Sequence, residues 1–299
     1  MKKRVRKLTM LVLTAVLLVS GTLAVRQYIY DLQAQESYRQ AQMVVQREPV
    51  EEPEGPEVQP ELIVELPEEP EVPLKELPEI PELPPEPEQE PLEEQAIYLK
   101  ELNLAELRKT NPDVLGWIRI PGTKLDYPLL QAEDNQYYLK RTWKGERNNA
   151  GSIFLECKVK DDFSDFNTII YGHNMKSGSM FGTLKQYRTQ SHYEANPYIY
   201  IVDDSGIRRY EIFAAFEADV RGYTYRLDIN TPEKKQALLD YSLESSVIEA
   251  KIVPTPEDTI ITLSTCTGKG YESRWVVQAV LTGRFAEQSE EPAAPTAER

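Results

Sequence analysis

The sequence predicts a mainly β fold, a closed or nearly closed barrel, preceded by one apolar N-terminal helix and a long non-globular tract. Three observations predict it. Residues 96–284 hold about eight short runs rich in β-branched and aromatic residues, split by turn signals and with few helical stretches. Leu8 to Val25 carries no charge and is about as long as an apolar helix needs to be to cross a bilayer. Glu48 to Gln95 holds 18 Glu, one Lys and 13 Pro, a composition that cannot build a packed core.

In chain order, residues 1–7 form a basic segment with Lys2, Lys3, Arg4, Arg6 and Lys7. Positive charge ahead of an apolar run stays on the cytoplasmic side, so residues 8–25 are expected to be a transmembrane anchor that leaves the rest outside. An uncleaved anchor is favoured over a signal peptide, because the run is long for a signal and no Ala-x-Ala site ends it. Residues 26–47 are polar with scattered apolar positions and read as a juxtamembrane segment. Residues 48–95 read as a disordered Pro/Glu linker. In extended polyproline geometry, at about 3.1 Å per residue, it would reach on the order of 150 Å and hold the folded domain off the membrane.

The folded domain is expected over residues 96–284. It opens on an amphipathic helix from Ile97 to Lys109, stopped by Pro112, which disfavours helical geometry in the residue before it. Strands follow at Trp117–Ile120, Leu125–Leu130, Ser152–Leu155, Thr168–Tyr171, Tyr198–Val202, Arg209–Phe216, Thr259–Ser264 and Arg274–Leu281. Pro121-Gly122-Thr123 and Asp204-Ser205-Gly206 mark turns between neighbours. One helix interrupts the later strands: Thr231 is its N-cap, Pro232 its first residue, and Ala237, Leu238 and Tyr241 its apolar face. Residues 285–299 read as a disordered tail.

Bulk composition excludes several classes. The net charge of −15 over 299 residues is misleading, since Glu48 to Gln95 alone contributes −17 and leaves +2 for the remainder. No basic stripe interleaved with aromatics points to nucleic acid. Two cysteines, Cys157 and Cys266, are too few for a disulfide-stapled scaffold. With only His173 and His192 beside them there is no metal-ligand spacing, and no metal or other cofactor is expected.

The chemistry gathers at strand ends. Cys266 closes the run Thr259 to Thr265 and is followed by Gly268 and Gly270. His173 follows the strand Thr168–Tyr171, and Arg274 begins the last strand across a loop from Cys266. A thiolate is the nucleophile of cysteine chemistry, and nearby positive charge favours it. An imidazole can hold the thiol proton and return it to a leaving amine. A guanidinium can stabilise the oxyanion of the tetrahedral intermediate.

Thr262-Leu263-Ser264-Thr265-Cys266, with Arg274 downstream, resembles the Thr-Leu-x-Thr-Cys signature of the sortases, and Tyr171-Gly172-His173-Asn174-Met175 resembles their histidine segment. His173 through Phe181, Asn111 through Ile118, Gly122-Thr123, Tyr127-Pro128, Asp134 through Leu139 and the capped helix from Thr231 are closest to class B. The resemblance covers nearly all of residues 96–284. It implies an eight-stranded sortase-type β-barrel, with Cys266 as nucleophile, His173 as acid/base and Arg274 as the oxyanion or substrate-orienting group. Ser264, Thr265, Asn135 and Leu139 are the implied substrate-groove residues. The implied reaction is cleavage of a C-terminal sorting signal of a surface protein after its Thr, through a thioacyl-enzyme. Transfer to an amine of a peptidoglycan precursor or a pilin would follow, on the wall side of a Gram-positive membrane. Thr267 departs from the acidic residue common at that position in class B.

Other residues receive plainer readings. Cys157 is expected to be an inert thiol, His192 structural or surface, and Trp117, Trp143 and Trp275 core or rim. Rival readings are another cysteine peptidase of the wall, which would carry a different signature around its thiol, and a non-catalytic binding protein on the same fold, which would have lost one of the three key residues.

Overall fold

The computed structural model describes residues 2–46, 99–268 and 270–285. The expected linker 48–95 and the tail beyond Phe285 therefore lie outside the described residues.

Eight strands close a barrel: β1 (Val114–Arg119), β2 (Asp126–Leu130), β3 (Ile153–Leu155), β4 (Asn167–Tyr171), β5 (Tyr198–Asp203), β6 (Gly206–Asp219), β7 (Ile260–Cys266) and β8 (Ser273–Phe285). Their order around the barrel is β1-β2-β3-β4-β7-β8-β6-β5, with β5 returning to β1. All ladders are antiparallel except β2–β3 and β4–β7. The strands start and end within a few residues of where the side-chain pattern places them. The largest extension is β6, where Gly206, at φ +109, turns the chain out of β5.

Alternation along the strands splits the apolar residues into two clusters. Ile261, Leu263, Val277 and Ala279 face inward and belong to the cluster that also holds Trp117, Ile118, Leu129, Ile170 and Tyr200. Ile260, Val276, Val280, Phe213 and Phe216 face outward and are covered by α4 (Pro232–Ser245) through Leu238 and Leu239. Thr231 caps α4 as its sequence predicts, accepting the Lys234 amide at 3.4 Å. The long β6–β7 connection thus lies on the outside of β7 and β8 and leaves only their far ends open.

Two shorter helices complete the domain. The stretch expected to be helical from Ile97 to Lys109 is a single 3-10 turn from Leu99 followed by α2 (Leu104–Thr110), started by Asn103 accepting the Glu106 amide at 3.3 Å. A 3-10 stretch, Phe181–Arg188, and α3 (Gln190–Ala195) follow β4; neither is among the elements expected from sequence.

Residues 2–45 form one helix, α1 (Lys2–Val45), whose later part belongs to the barrel. Ala34, Tyr38, Ala41 and Val45, at helical spacing, are all buried against it. The expected anchor at 8–25 lies in the first part of α1, where several side chains are outside the described residues. Among the described residues no helix is long and apolar enough to cross a membrane.

Gln46 bridges Leu102, and the Asn103 amide donates to the Val45 carbonyl at 2.7 Å. The described residues on either side of the expected linker are thus in contact.

Candidate active site

The β4–β7 ladder is parallel, and Tyr171 pairs with Ser264. Two residues further along each chain lie His173 and Cys266, which are therefore level with one another. On the other side, β8 pairs antiparallel with β7, and Arg274 is the direct partner of Cys266. Adjacent strands are about 4.8 Å apart. Three residues remote in sequence thus stand side by side at one end of the barrel, on the outer face that α4 leaves uncovered.

Cys266 is exposed and unpaired by a disulfide. Its strand is buried up to Thr265. Rigidity on one side and access on the other come from the same element boundary.

His173 is held by backbone. Its Nε2 lies 2.6 Å from the Leu139 carbonyl. A carbonyl has no proton to give, so Nε2 must donate, and Nδ1 is left for proton exchange. The ring also rests on Gly151, which is in the left-handed region at φ +60; a Cβ there would stand 2.8 Å from His173 Cδ2. The next residue, Asn174, donates to the Cys266 carbonyl and ties the two loops together. Arg274 donates Nη1 to the carbonyls of Tyr271 at 2.9 Å and Ser273 at 3.0 Å, which anchors the guanidinium within its own loop. Thr267, where an acidic residue was the family expectation, bonds Ser273 Oγ at 2.9 Å and closes the base of that loop.

A cavity of about 230 Å³ opens over the thiol. Cys266, His173, Arg274, Ser264, Thr265, Asn135 and Leu139 all line it, so the structure brings together every residue singled out from sequence. Their parts differ. Ser264 and Thr265 are each 2% exposed, and their hydroxyls are already engaged. Ser264 Oγ lies 2.7 Å from the Tyr225 hydroxyl, and Thr265 Oγ1 donates to the Gly172 carbonyl at 2.7 Å. Both therefore brace the wall of the cavity. Leu139 offers an exposed apolar side chain, and Asn135 an amide held from both ends. Asn135 Oδ1 accepts the Cys157 amide at 2.8 Å, while Nδ2 donates to Glu156 at 2.5 Å.

Several contributors were not legible in the sequence. Glu156, 7% exposed, also receives the Tyr171 hydroxyl at 3.0 Å, which makes it the anchor of the Asn135 wall. Burial and the Glu156 carboxylate push the Tyr171 phenol well above the ordinary range. Tyr225, in the β6–β7 connection, is pushed up to about 12 chiefly by burial, so it is a neutral hydroxyl beside Ser264. Nothing in the local sequence distinguishes Glu156 or Tyr225, and the Leu139 carbonyl is backbone, invisible to a reading of side chains. Cys157 has its thiol 3.4 Å from Glu156 Oε1; burial first and then the carboxylate raise its pKa, which makes it a poor nucleophile.

A closed barrel bearing an exposed strand-end thiol flanked by an imidazole and a guanidinium defines a cysteine-centred peptide-transfer site. Comparison with known proteins identifies the family. The sortase domain model matches residues 118–282. Sortase B of Listeria monocytogenes is 41% identical over 182 residues, covering 60% of this chain and 73% of its own; sortase B of Staphylococcus aureus is 35% identical over 160 residues, covering 54% and 66%. The crystal structure of Staphylococcus aureus sortase B superposes with a TM-score of 0.58 at 33% identity, over 61% of this chain and 87% of that one. Sortase B has also been solved with a substrate and with triglycine, and those structures superpose at 0.57. The chain belongs to the sortase family, and within it to class B, whose members are cysteine transpeptidases.

Proposed function

We infer that this sortase works on the outer side of a membrane, cleaving a C-terminal sorting signal of surface proteins after its Thr and transferring them to an amine of the cell wall or of a pilin. One observation carries the reading: Cys266, His173 and Arg274, from three strands, line one cavity. The substrate and triglycine complexes of sortase B support a peptide donor and an amine acceptor. The charge-free run from Leu8 to Val25 behind a basic segment supports the anchor.

The residues assign the steps. The Cys266 thiol gives its proton to His173 Nδ1, and the thiolate attacks the carbonyl carbon of the signal's Thr. Arg274 faces the position where the oxyanion develops. Collapse of the tetrahedral intermediate breaks the C–N bond, and His173 returns its proton to the departing amine. The thioacyl-enzyme is then attacked by an incoming amine, whose proton passes to His173 and then to the Cys266 sulfur as the C–S bond breaks. Leu139, through its carbonyl, does for the imidazole what a carboxylate does elsewhere: it fixes the tautomer and the ring plane.

The test is cleavage of pentapeptides of the NPxTx, LPxTG and SPxTG kinds, with and without an amine acceptor. Cleavage of one kind, with an amide product when the amine is present, is expected. Full cleavage by Cys266→Ala would sink the assignment, and release by water alone in the presence of amine would make the protein a hydrolase.

A further inference from the structure

A cavity of about 680 Å³ lies behind the catalytic groove and is lined by residues of α1 and of the loop before β3. Arg26, Lys140, Arg141 and Arg147 project around it, against a single acid, Asp134. Among the described residues none of the four cations is paired with a carboxylate. Arg26 reaches the Tyr30 hydroxyl at 3.0 Å and lies over its ring, Arg141 donates to the Gly145 carbonyl at 2.8 Å and lies over the Tyr137 ring, and Asp134 Oδ1 is occupied by the amides of Gln136 and Tyr137. Arg141 and Arg147 are moreover direct partners in a β-bridge, a like-charge pairing unfavourable on its own. A cluster of this kind gains from an anion.

A second feature says which anion. A neighbouring cavity of about 580 Å³ runs along α1, lined by Leu17, Leu18, Gly21, Val25 and Ile29, and it shares Arg26 and Tyr30 with the first. Leu13, Val16, Leu17, Leu18 and Val25 are all more than half exposed. An apolar helix face thus leads straight into a cationic pocket. Arg26 directly follows the charge-free run, which at 1.5 Å per residue is about 27 Å long, close to a hydrocarbon thickness of about 30 Å. The pocket then lies at headgroup depth, and the docking of α1 holds the barrel there.

We propose that this composite surface binds an anionic phospholipid, its phosphate among Arg26, Arg141 and Arg147 and its acyl chains along the Leu17–Ile29 face. The proposal rests on the membrane reading given above. It seats the barrel at the lipid surface with the catalytic groove on the opposite side of the 134–141 wall: Asn135 and Leu139 face the thiol, while Tyr137 and Lys140 face the lipid.

The test uses the full chain, extracted in neutral detergent, with retained lipid counted by native mass spectrometry. Phosphatidylglycerol is expected to be kept over phosphatidylcholine. The double variant Arg26→Gln, Arg147→Gln should lower that preference by about 30-fold, on the basis of about 1 kcal/mol per charge at a lipid surface. Its peptide cleavage should not change. Equal retention of the two lipids, or a preference that survives the double variant, overturns the proposal and leaves the membrane reading intact. Micromolar binding of inorganic diphosphate without lipid preference also overturns it, in favour of a soluble anion. Recovery of the chain in the soluble cell fraction overturns the membrane reading and the proposal together.

Discussion

His173 is where a single residue most clearly depends on its neighbours. Its imidazole is seated on Gly151 and bonded to the Leu139 carbonyl, so its placement is set by two backbone positions that no motif names. Gly151→Ala should therefore damage the reaction without touching the peptide groove. The added methyl would meet His173 Cδ2, Leu139 O and Tyr138 O, all at 2.8 Å, in a conformation that costs an L-residue about 1–2 kcal/mol. An imidazole displaced by about 1 Å loses on the order of 100-fold in kcat. Steady-state kinetics should show kcat falling with KM nearly unchanged; an unchanged kcat would mean that the seat is irrelevant. His192 gives a separate test. Its Nε2 is buried without a partner and its ring lies edge-on to Tyr187 at 4.7 Å, so burial holds its pKa below the ordinary 6.5. The unfolded chain then takes up the proton first as pH falls below 6.5, and stability that is full above that value declines below it. His192→Gln should flatten the fall in Tm between about pH 6.5 and pH 5. At this scale Cys266, His173 and Arg274 could be singled out because the Thr-Leu-x-Thr-Cys motif and its histidine counterpart mark them at strand ends, and the structure brings them to one cavity. Glu156 and Tyr225 could not be singled out, because their meaning lies in contacts across the fold.

Among the elements, the strands were the most legible. The strand expected at Thr259–Ser264 is observed as β7, with Ile261 and Leu263 in the inner cluster and Ser264 on the other face, beside Tyr225. The N-cap at Thr231 told α4 in advance, while the 3-10 stretch at Phe181–Arg188 has no comparable signal and is shaped by packing of Phe181, Leu184 and Tyr187. The main surprise is the second half of α1. Ala34, Tyr38, Ala41 and Val45 form an apolar stripe too sparse to stand out among polar neighbours, yet all four are buried. This half also grips the loop that seats His173. Tyr38 donates to the Gly151 carbonyl, Trp143 Nε1 donates to Ser37 O at 3.0 Å, and Asn148 Nδ2 to Tyr30 O at 3.0 Å. Helix α1 is thus a positioning element for the imidazole. Ala41→Glu, which places an unpaired charge at a fully buried site, should cost several kcal/mol locally and release the helix. Thermal melting should show a lower Tm, and peptide cleavage a fall in kcat larger than any change in KM. A variant with a detached helix and full kcat would show that the barrel alone fixes His173.

For the whole molecule, the decisive fact is that α1 and the barrel meet on both sides of the Pro/Glu tract. Composition alone made the tract a tether, since like charges and prolines extend a chain. The Val45–Asn103 hydrogen bond and the Gln46–Leu102 bridge bring together the described residues on either side of it. A tether sets position by its length, whereas a docked helix α1 would set it by contact. Loop closure grows slowly with length, so shortening about 50 residues to about 13 should raise stability by only about 1.2 kcal/mol, with activity unchanged. Cutting the tract tests the arrangement directly. A glutamyl endopeptidase should nick the acidic stretch while the barrel survives. If helix α1 is docked as described, the two fragments co-elute in size-exclusion chromatography and peptide cleavage continues. The cut removes the closure and nothing that holds Tyr38, Ala41 and Trp143 together. Under the tether reading the N-terminal fragment has no contact to keep it, and it separates from an active barrel. Loss of co-elution in the Ala41→Glu variant, with co-elution kept in the unsubstituted protein, would place the attachment at the buried stripe.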